Sequence, residues 1–480
     1  MNERISRRSL LKVAGIGAAG AALAACAATP APEVVKETVV VEASPEAVKE
    51  TVIAEKVVTP VAEVVELSFQ HFFQSPELWE PAFKDIFAWI EENLNVKINH
   101  IPTPYAEMAP KLLTLIAGGT PPDLTSLGNT VIAEVAMRGV LLPLDERLAV
   151  DPPCPLDDIM PSRLVDNTFE GKLYGMPIDQ GSDGIYYNKE IFDKAGLAYP
   201  DADWTWEQLL DTALALTVDK DGKIATEAGF DAENIQQWGF QYTTSLHRMH
   251  NLVTSLSGNE AWFDKEVTKC TMDSVEIVGA LQHLIDLRCV HHVCPTAQQA
   301  ASIADVAGGI FPFGLGYYAM EFTWVGMTSA LKLPGVKIGD AWDVVTYPKG
   351  KKAVASSSGQ GFPIIKDSKH HDEAWAVIKA FVNEPITKML GQQGAWMPAR
   401  ISMAQYGQPA DGIPEHYAEA FIRPVSEYGF SKWWYLPGWA EWDKTISTEL
   451  NPCWRCERSA KEAVDLFLPK VNEMVASREL

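Results

Sequence analysis

Cys289, His291, His292 and Cys294 fall within six residues, and all four are side chains that bind zinc. Four ligands crowded into one turn of chain rarely reach a tetrahedral arrangement together, so metal is the weaker reading. Cys453-Trp454-Arg455-Cys456 has redox-motif spacing but lacks the strand-then-helix setting that activates such a thiol. Asp179 and Asp183 could cleave a glycoside only if two carboxyls faced one another at catalytic separation. The serines before Gly359 lack the preceding glycine of a nucleophile elbow. Asp219-Lys220-Asp221-Gly222 looks like part of a calcium loop, but position one would be Thr217 and position twelve Ala228. No His-Glu-x-x-His occurs, and no Gly-rich phosphate loop follows a strand. No metal and no cofactor is therefore expected. An enzyme acting on carbohydrate or thiols stays open as the alternative to a binding protein.

Recognition is the other chemistry that these residue types support. Aromatic residues make up 10% of the chain and include 15 Trp. Sugars present flat apolar faces edged by hydroxyls, so a receptor for them needs aromatic platforms, short polar side chains and carboxylates. Trp433, Trp434, Tyr435, Trp439 and Trp442 form the densest aromatic cluster, beside Pro437-Gly438. A cluster in a loop is read as a cleft wall or as core with equal weight. The net charge of -23 repels phosphates and anionic headgroups, which excludes nucleic acid as a partner. A cage of carboxylates around one cation would instead favour a polyamine.

The N-terminus determines where this happens. Arg7-Arg8 precede a short apolar run from Val13 to Ala25, as in twin-arginine export signals, and Leu23-Ala24-Ala25-Cys26 resembles a lipoprotein cleavage box. The run is too short for a membrane span. Residues 1–25 are thus expected as a signal peptide, with Cys26 carrying the lipid that holds the protein at the outer face of the cytoplasmic membrane. The next segment, 26–65, has no aromatic residue and repeats itself, EVVKETVVVEA at Glu33 returning as EAVKETVIAEK at Glu46. Four prolines break it, so it reads as a spacer. Six cysteines remain in an oxidising compartment. Local disulfides, Cys289 with Cys294 and Cys453 with Cys456, are the first expectation, with unpaired core thiols the second. Export of a folded chain would also favour pairs close in sequence.

The body of roughly 415 residues exceeds one comfortable hydrophobic core and suggests two lobes. Strand Val64 to Phe73 leads to a helix with Pro76 at its start and Ser75 as N-cap, carrying Leu78, Ala82, Phe83, Ile86, Phe87 and Ile90 on one face. A strand over Val96 to Ile101, a helix over Tyr105 to Ala117 and a short strand in Pro121 to Leu127 follow. That alternation calls for an α/β fold with a parallel sheet.

Several segments, in order, resemble the family-1 extracellular solute-binding proteins, the receptors of bacterial ABC importers. They are AGGTPPDL at Ala117, GVLLPLDERL at Gly139, GKLYGMPIDQGSDGIYYNKEIFDKAGL at Gly171, TWEQ at Thr205, AMEFTW at Ala319, SSSGQGFPIIKDSKHHDEAWAVIKAFV at Ser356 and GAWMPAR at Gly394. The resemblance implies a two-lobed periplasmic-binding-protein-like fold, a ligand cleft between the lobes, a monomer and a permease partner. It places lobe one at 66–180 plus 353–395 and lobe two at 181–352 plus 396–480. It also nominates the ligand-binding residues. Phe73 and Gln74 follow strand one, Asn129 follows the third strand, and Asp179, Ser182, Asp183 and Tyr186 lie on the first crossover. Trp324 matches the family's stacking Trp, although its segment is one residue short and without its Gly. Ser358, Gly359 and Gln360 lie by the second crossover, as ligand contacts or as a plain hinge turn. Trp433 and Trp434, taken from the aromatic cluster and not from the resemblance, complete the set, and a sugar is the expected cargo.

Overall fold

A computed structural model describes residues 64–72, 76–128, 130–308, 310–392, 397–407, 414–430 and 436–477, and the short strands Val34–Val35 and Lys56–Val57. These two strands pair antiparallel within the unit Met1–Glu63; the second unit is Val64–Leu480. Cys26 and Ser75 lie outside the described residues. No described helix is long and apolar enough to cross a membrane.

Strand Val65–Phe72 buries Leu67 and Phe69 completely and runs parallel to Val96–Thr103 on one side and Leu124–Thr125 on the other. Helix Pro76–Leu94 makes the first crossover, burying Phe83, Ile86 and Ile90 and leaving Glu91 and Glu92 exposed. Asn95, at φ 55°, takes the left-handed conformation that Asn tolerates and turns helix into strand. The helix expected over Tyr105 to Ala117 is split into a 3-10 turn, Tyr105–Glu107, and a helix, Met108–Ala117. The split places Pro110 in the first turn, where its missing N–H costs nothing.

One core joins residues between Leu67 and Ile178 to others between Phe362 and Leu390. The rest of the body is organised by a five-stranded sheet in the order Val218–Asp219, Ile235–Tyr242, Tyr318–Trp324, Asp183–Asn188, Trp342–Val345. Only Ile235–Tyr242 and Tyr318–Trp324 are parallel, so this sheet is mixed. Strand alternation sends Ile185, Tyr187, Phe240, Met320 and Phe322 to one core and Tyr186 to another. The first contains Trp439 and Trp442, which are core residues. Thr205 caps helix Trp206–Leu216 with the expected capping box, Gln208 reaching back to the Thr205 N–H at 2.8 Å.

The cysteine pairing differs from expectation. Cys289 bonds to Cys456, 167 residues away, and neither Cys289–Cys294 nor Cys453–Cys456 forms. Cys289 ends helix Val275–Cys289, whereas Cys294 turns back into the core beneath it. Cys453 is likewise buried, its Sγ 3.4 Å from the Ser459 carbonyl, while Cys456 emerges from the same turn at φ 63°. Within each local pair one sulfur therefore faces the core and the other the surface. The Asp219 turn is a polar loop: its Oδ1 accepts the Asp221 and Lys223 N–H groups and its Oδ2 that of Asp231.

Candidate ligand-binding cleft

Three segments run side by side between the two halves of the body. Asp179–Gln180 pairs antiparallel with Met397–Pro398, and Gly181 bridges to Ser358. Arg163, on the short helix Pro161–Asp166, is fully buried beneath them. Its Nη1 meets Asp166 Oδ2 at 2.5 Å, its Nε donates to the Asp179 carbonyl at 3.1 Å, and its Nη2 donates to the Gln360 carbonyl at 3.3 Å. Asp179 Oδ1 accepts the Gln360 N–H at 2.5 Å. Burial pushes the Asp179 carboxyl up to about 6, against the pull of Arg163. One buried guanidinium thus ties both crossing segments to a single point.

On the open side, Trp324 ends its strand partly exposed, and the Arg248 guanidinium lies 5.9 Å from its ring centroid. Arg248 Nε is 3.6 Å from Asp183 Oδ1, and Asn251 Nδ2 is 3.4 Å from Asp183 Oδ2. Both Arg248 and Asn251 come from helix Leu246–Ser257. Tyr105 approaches from the other half, 46% exposed, edge-on to Phe72 at 5.3 Å and within electrostatic reach of Arg163, Asp179 and Arg248. A Cβ at Gly128 would fall 2.2 Å from the Tyr105 hydroxyl oxygen, so a larger residue there would displace that ring. Burial pushes the Glu321 carboxyl up to about 8, with Arg248 opposing. Among the described residues, Glu321 Oε2 and Ser182 Oγ are buried without a hydrogen-bond partner. The arrangement sets the Trp324 ring over a carboxylate–guanidinium pair, with Tyr105 within electrostatic reach of the guanidinium.

A family model for bacterial extracellular solute-binding proteins matches residues 74–388, well over half of the chain. The chain belongs to that family. Its curated relatives include a putative binding protein of Brucella abortus, 30% identical over 130 residues. That alignment covers 26% of this chain and 30% of the relative's length. The arabinooligosaccharide-binding protein of Halalkalibacterium halodurans is 25% identical over 350 residues, covering 68% of this chain and 70% of its own. Among solved structures, an ABC substrate-binding protein of Listeria monocytogenes in complex with cycloalternan superposes with a TM-score of 0.72 at 22% identity. It covers 87% of this chain and all of its own, and supports the two-lobed α/β fold.

Within this solute-binding protein the nominated residues separate into groups. Asp183 and Trp324 meet in the cleft, and Ser182 lies beside them, its carbonyl accepting the Val325 N–H at 2.8 Å. Tyr186 does not reach the cleft. It is fully buried, its hydroxyl 3.0 Å from the Val325 carbonyl and 2.9 Å from Thr328 Oγ1, because it sits an odd number of residues from Asp183 on one strand. Asp179, Ser358, Gly359 and Gln360 hold the crossing segments together. A Cβ at Gly359 would lie 2.6 Å from the Asp179 carbonyl oxygen, so that glycine serves strand contact. Phe73, Gln74, Asn129, Trp433 and Trp434 lie outside the described residues. Tyr105, Arg163 and Arg248 were not anticipated; Glu321, three residues from Trp324 and the cross-strand partner of Tyr186, shares the Tyr186 face of the sheet. Arg248 had one usable signal, its place in the first turn of a helix that follows a long strand. Asp343, Glu415 and His416 bring ligand atoms within 4.8 Å of one another, but the buried Asp343 carboxylate already holds Lys189 at 3.4 Å and His416 at 3.0 Å.

Proposed function

We propose that this solute-binding protein captures a carbohydrate between its lobes, closes about the crossing segments and hands the sugar to the permease of an ABC importer. The observation that carries the reading is the partly exposed Trp324 ring over Arg248, which also meets Asp183, with the exposed Tyr105 of the other half within electrostatic reach of the same guanidinium. Rings stack on the apolar faces of a sugar, and a carboxylate–guanidinium pair accepts from and donates to its hydroxyls. The names of the Halalkalibacterium and Listeria relatives, one for an arabinooligosaccharide and one for cycloalternan, support the same class. A polyamine is disfavoured by Arg248, whose positive charge occupies the carboxylate that a diamine would seek. The family is one of binding proteins, and the cleft is assigned binding without turnover.

The remaining parts of the proposal come from the sequence. Residues 1–25 direct export by a twin-arginine-type route, lipid on Cys26 anchors a monomer outside the cytoplasmic membrane, and 26–65 is the spacer. The lobes divide at 66–180 plus 353–395 and 181–352 plus 396–480. A thermal-shift screen against mono- and oligosaccharides, polyamines and peptides tests the cargo. A rise in melting temperature with a saccharide is expected; a rise with a diamine and none with any sugar would overturn the carbohydrate assignment.

A further inference from the structure

A cavity of 650 Å³ opens on the surface away from the cleft, lined by Trp238, Arg288, Cys289, Cys294, Arg455 and Cys456 among others. It is the size of a small-ligand site, and its wall contains the Cys289–Cys456 disulfide. Cys456 is exposed and Cys289 half-buried, and both residues line the cavity. Each end is held by its own element. Cys289 closes a helix whose Leu281, Leu284, Ile285 and Leu287 are core residues. Cys456 is held by the turn that joins its N–H to the Cys453 carbonyl at 3.0 Å and the Glu457 N–H to the Pro452 carbonyl at 3.0 Å. Each of the two Cα atoms, 5.5 Å apart, is thus anchored by its own element of the fold.

We propose that Cys289 and Cys456 form a thiol–disulfide exchange site, opened and closed by a small-molecule thiol/disulfide couple that enters the cavity while the protein stays folded. In closing, the Cys456 thiolate attacks one sulfur of the small disulfide, forming a mixed disulfide and expelling one small thiolate with the bonding electron pair. The Cys289 thiolate then attacks the Cys456 sulfur and expels the second. Two electrons pass from two protein thiols to one small disulfide, and the two protein protons end on the two small thiols; opening is the reverse.

Neighbouring groups support this direction and pairing. Arg455 and Glu457 flank Cys456 in the chain and pair with one another at 2.9 Å. Cys294 shares the cavity wall but is buried, which pushes its thiol up to about 12, and burial pushes Cys453 up to about 11. These two are poor nucleophiles and leave the exchange to the accessible pair. The site also offers an order of events for a chain exported already folded, since a bond spanning 167 residues can close last.

The glutathione couple provides the test on the folded full-length protein. Incubation with reduced glutathione, alkylation without denaturant and peptide mapping should label Cys289 and Cys456, roughly tenfold or more faster than Cys294 or Cys453. Oxidised glutathione should then restore the pair with the circular dichroism unchanged throughout. In Cys289→Ser the reaction should stop at a glutathione adduct on Cys456, and in Cys456→Ser at an adduct on Cys289. Resistance of the bond until denaturant is added would overturn the proposal. So would labelling led by Cys294 or Cys453, or folded serine variants that take no adduct.

Discussion

Gly359 is a position at which the crossing segments tolerate little change, and Gly359→Ala measures it. Its φ of 154° lies in a region that side chains rarely adopt. An added Cβ would lie 2.6 Å from the Asp179 carbonyl oxygen, 2.7 Å from Asp179 Oδ1 and 3.0 Å from Arg163 Nη2. None of the three can swing away, because the first is backbone and the others are fixed in the Arg163–Asp179–Gln360 network. Overpacking of this kind costs about 1–3 kcal/mol, and a strained backbone about as much again, for a loss of roughly 2–6 kcal/mol. Gly181→Ala is the control. There the nearest atom is Ser358 Oγ at 2.6 Å, a hydroxyl that rotates, while the Ser358 carbonyl oxygen stays at 3.3 Å. Its cost should remain below about 1 kcal/mol, and Ser358→Ala in the same chain should reduce it further. Urea unfolding followed by far-ultraviolet circular dichroism gives both values from the midpoints at constant slope. Equal midpoints for Gly359→Ala and Gly181→Ala would refute the account of the crossing point.

Two other predictions concern the cleft. Asp183→Asn should weaken binding of the sugar found by the screen about 10- to 150-fold, the equivalent of about 1.5–3 kcal/mol for a hydrogen bond to a charged group. Trp324→Ala should cost about tenfold; calorimetric titration reads both, and losses under about twofold in each would place the ligand elsewhere. Glu321 supplies a pH signature. Its folded pKa of about 8 exceeds the ordinary 4.5, so the folded state holds a proton that the unfolded state has lost between those values. That contribution to stability is complete below 4.5 and disappears as pH rises through 8; Glu321→Gln should flatten the pH profile of the melting temperature over this window, and an unchanged profile would exclude Glu321 as its source.

The legible parts of this protein are those whose signals are local. The Thr205 capping box, the face of Phe83, Ile86 and Ile90, and the strand–helix alternation of the first half each depend on residues within a few positions of one another. The order of family-like segments also puts Asp183 and Trp324 on neighbouring strands, where they are cross-strand partners beside Arg248. Tyr186 shows the limit of that reasoning. A crossover segment was nominated as a whole, yet strand parity sends alternate residues to opposite faces, and three steps from Asp183 brings Tyr186 into the core.

Arg163 and Cys289 lie beyond local signals altogether. In Pro161–Asp166 the arginine has the spacing of a solvated helix residue, and nothing nearby calls for its burial. What buries it is a carboxylate three residues on, a carbonyl at Asp179 and a carbonyl at Gln360, groups separated along the chain by 3, 16 and 197 residues. A buried guanidinium is tolerable only when all its partners arrive together. Breaking any one would leave charge without compensation at the point where the lobes meet. The Cys289–Cys456 bond has the same character: each cysteine has a nearer candidate, and only the fold turns those candidates inward. Long-range satisfaction of one buried or reactive group thus locates both the crossing point and the exchange site, and for the cysteines a nearer candidate makes the wrong partner look sufficient.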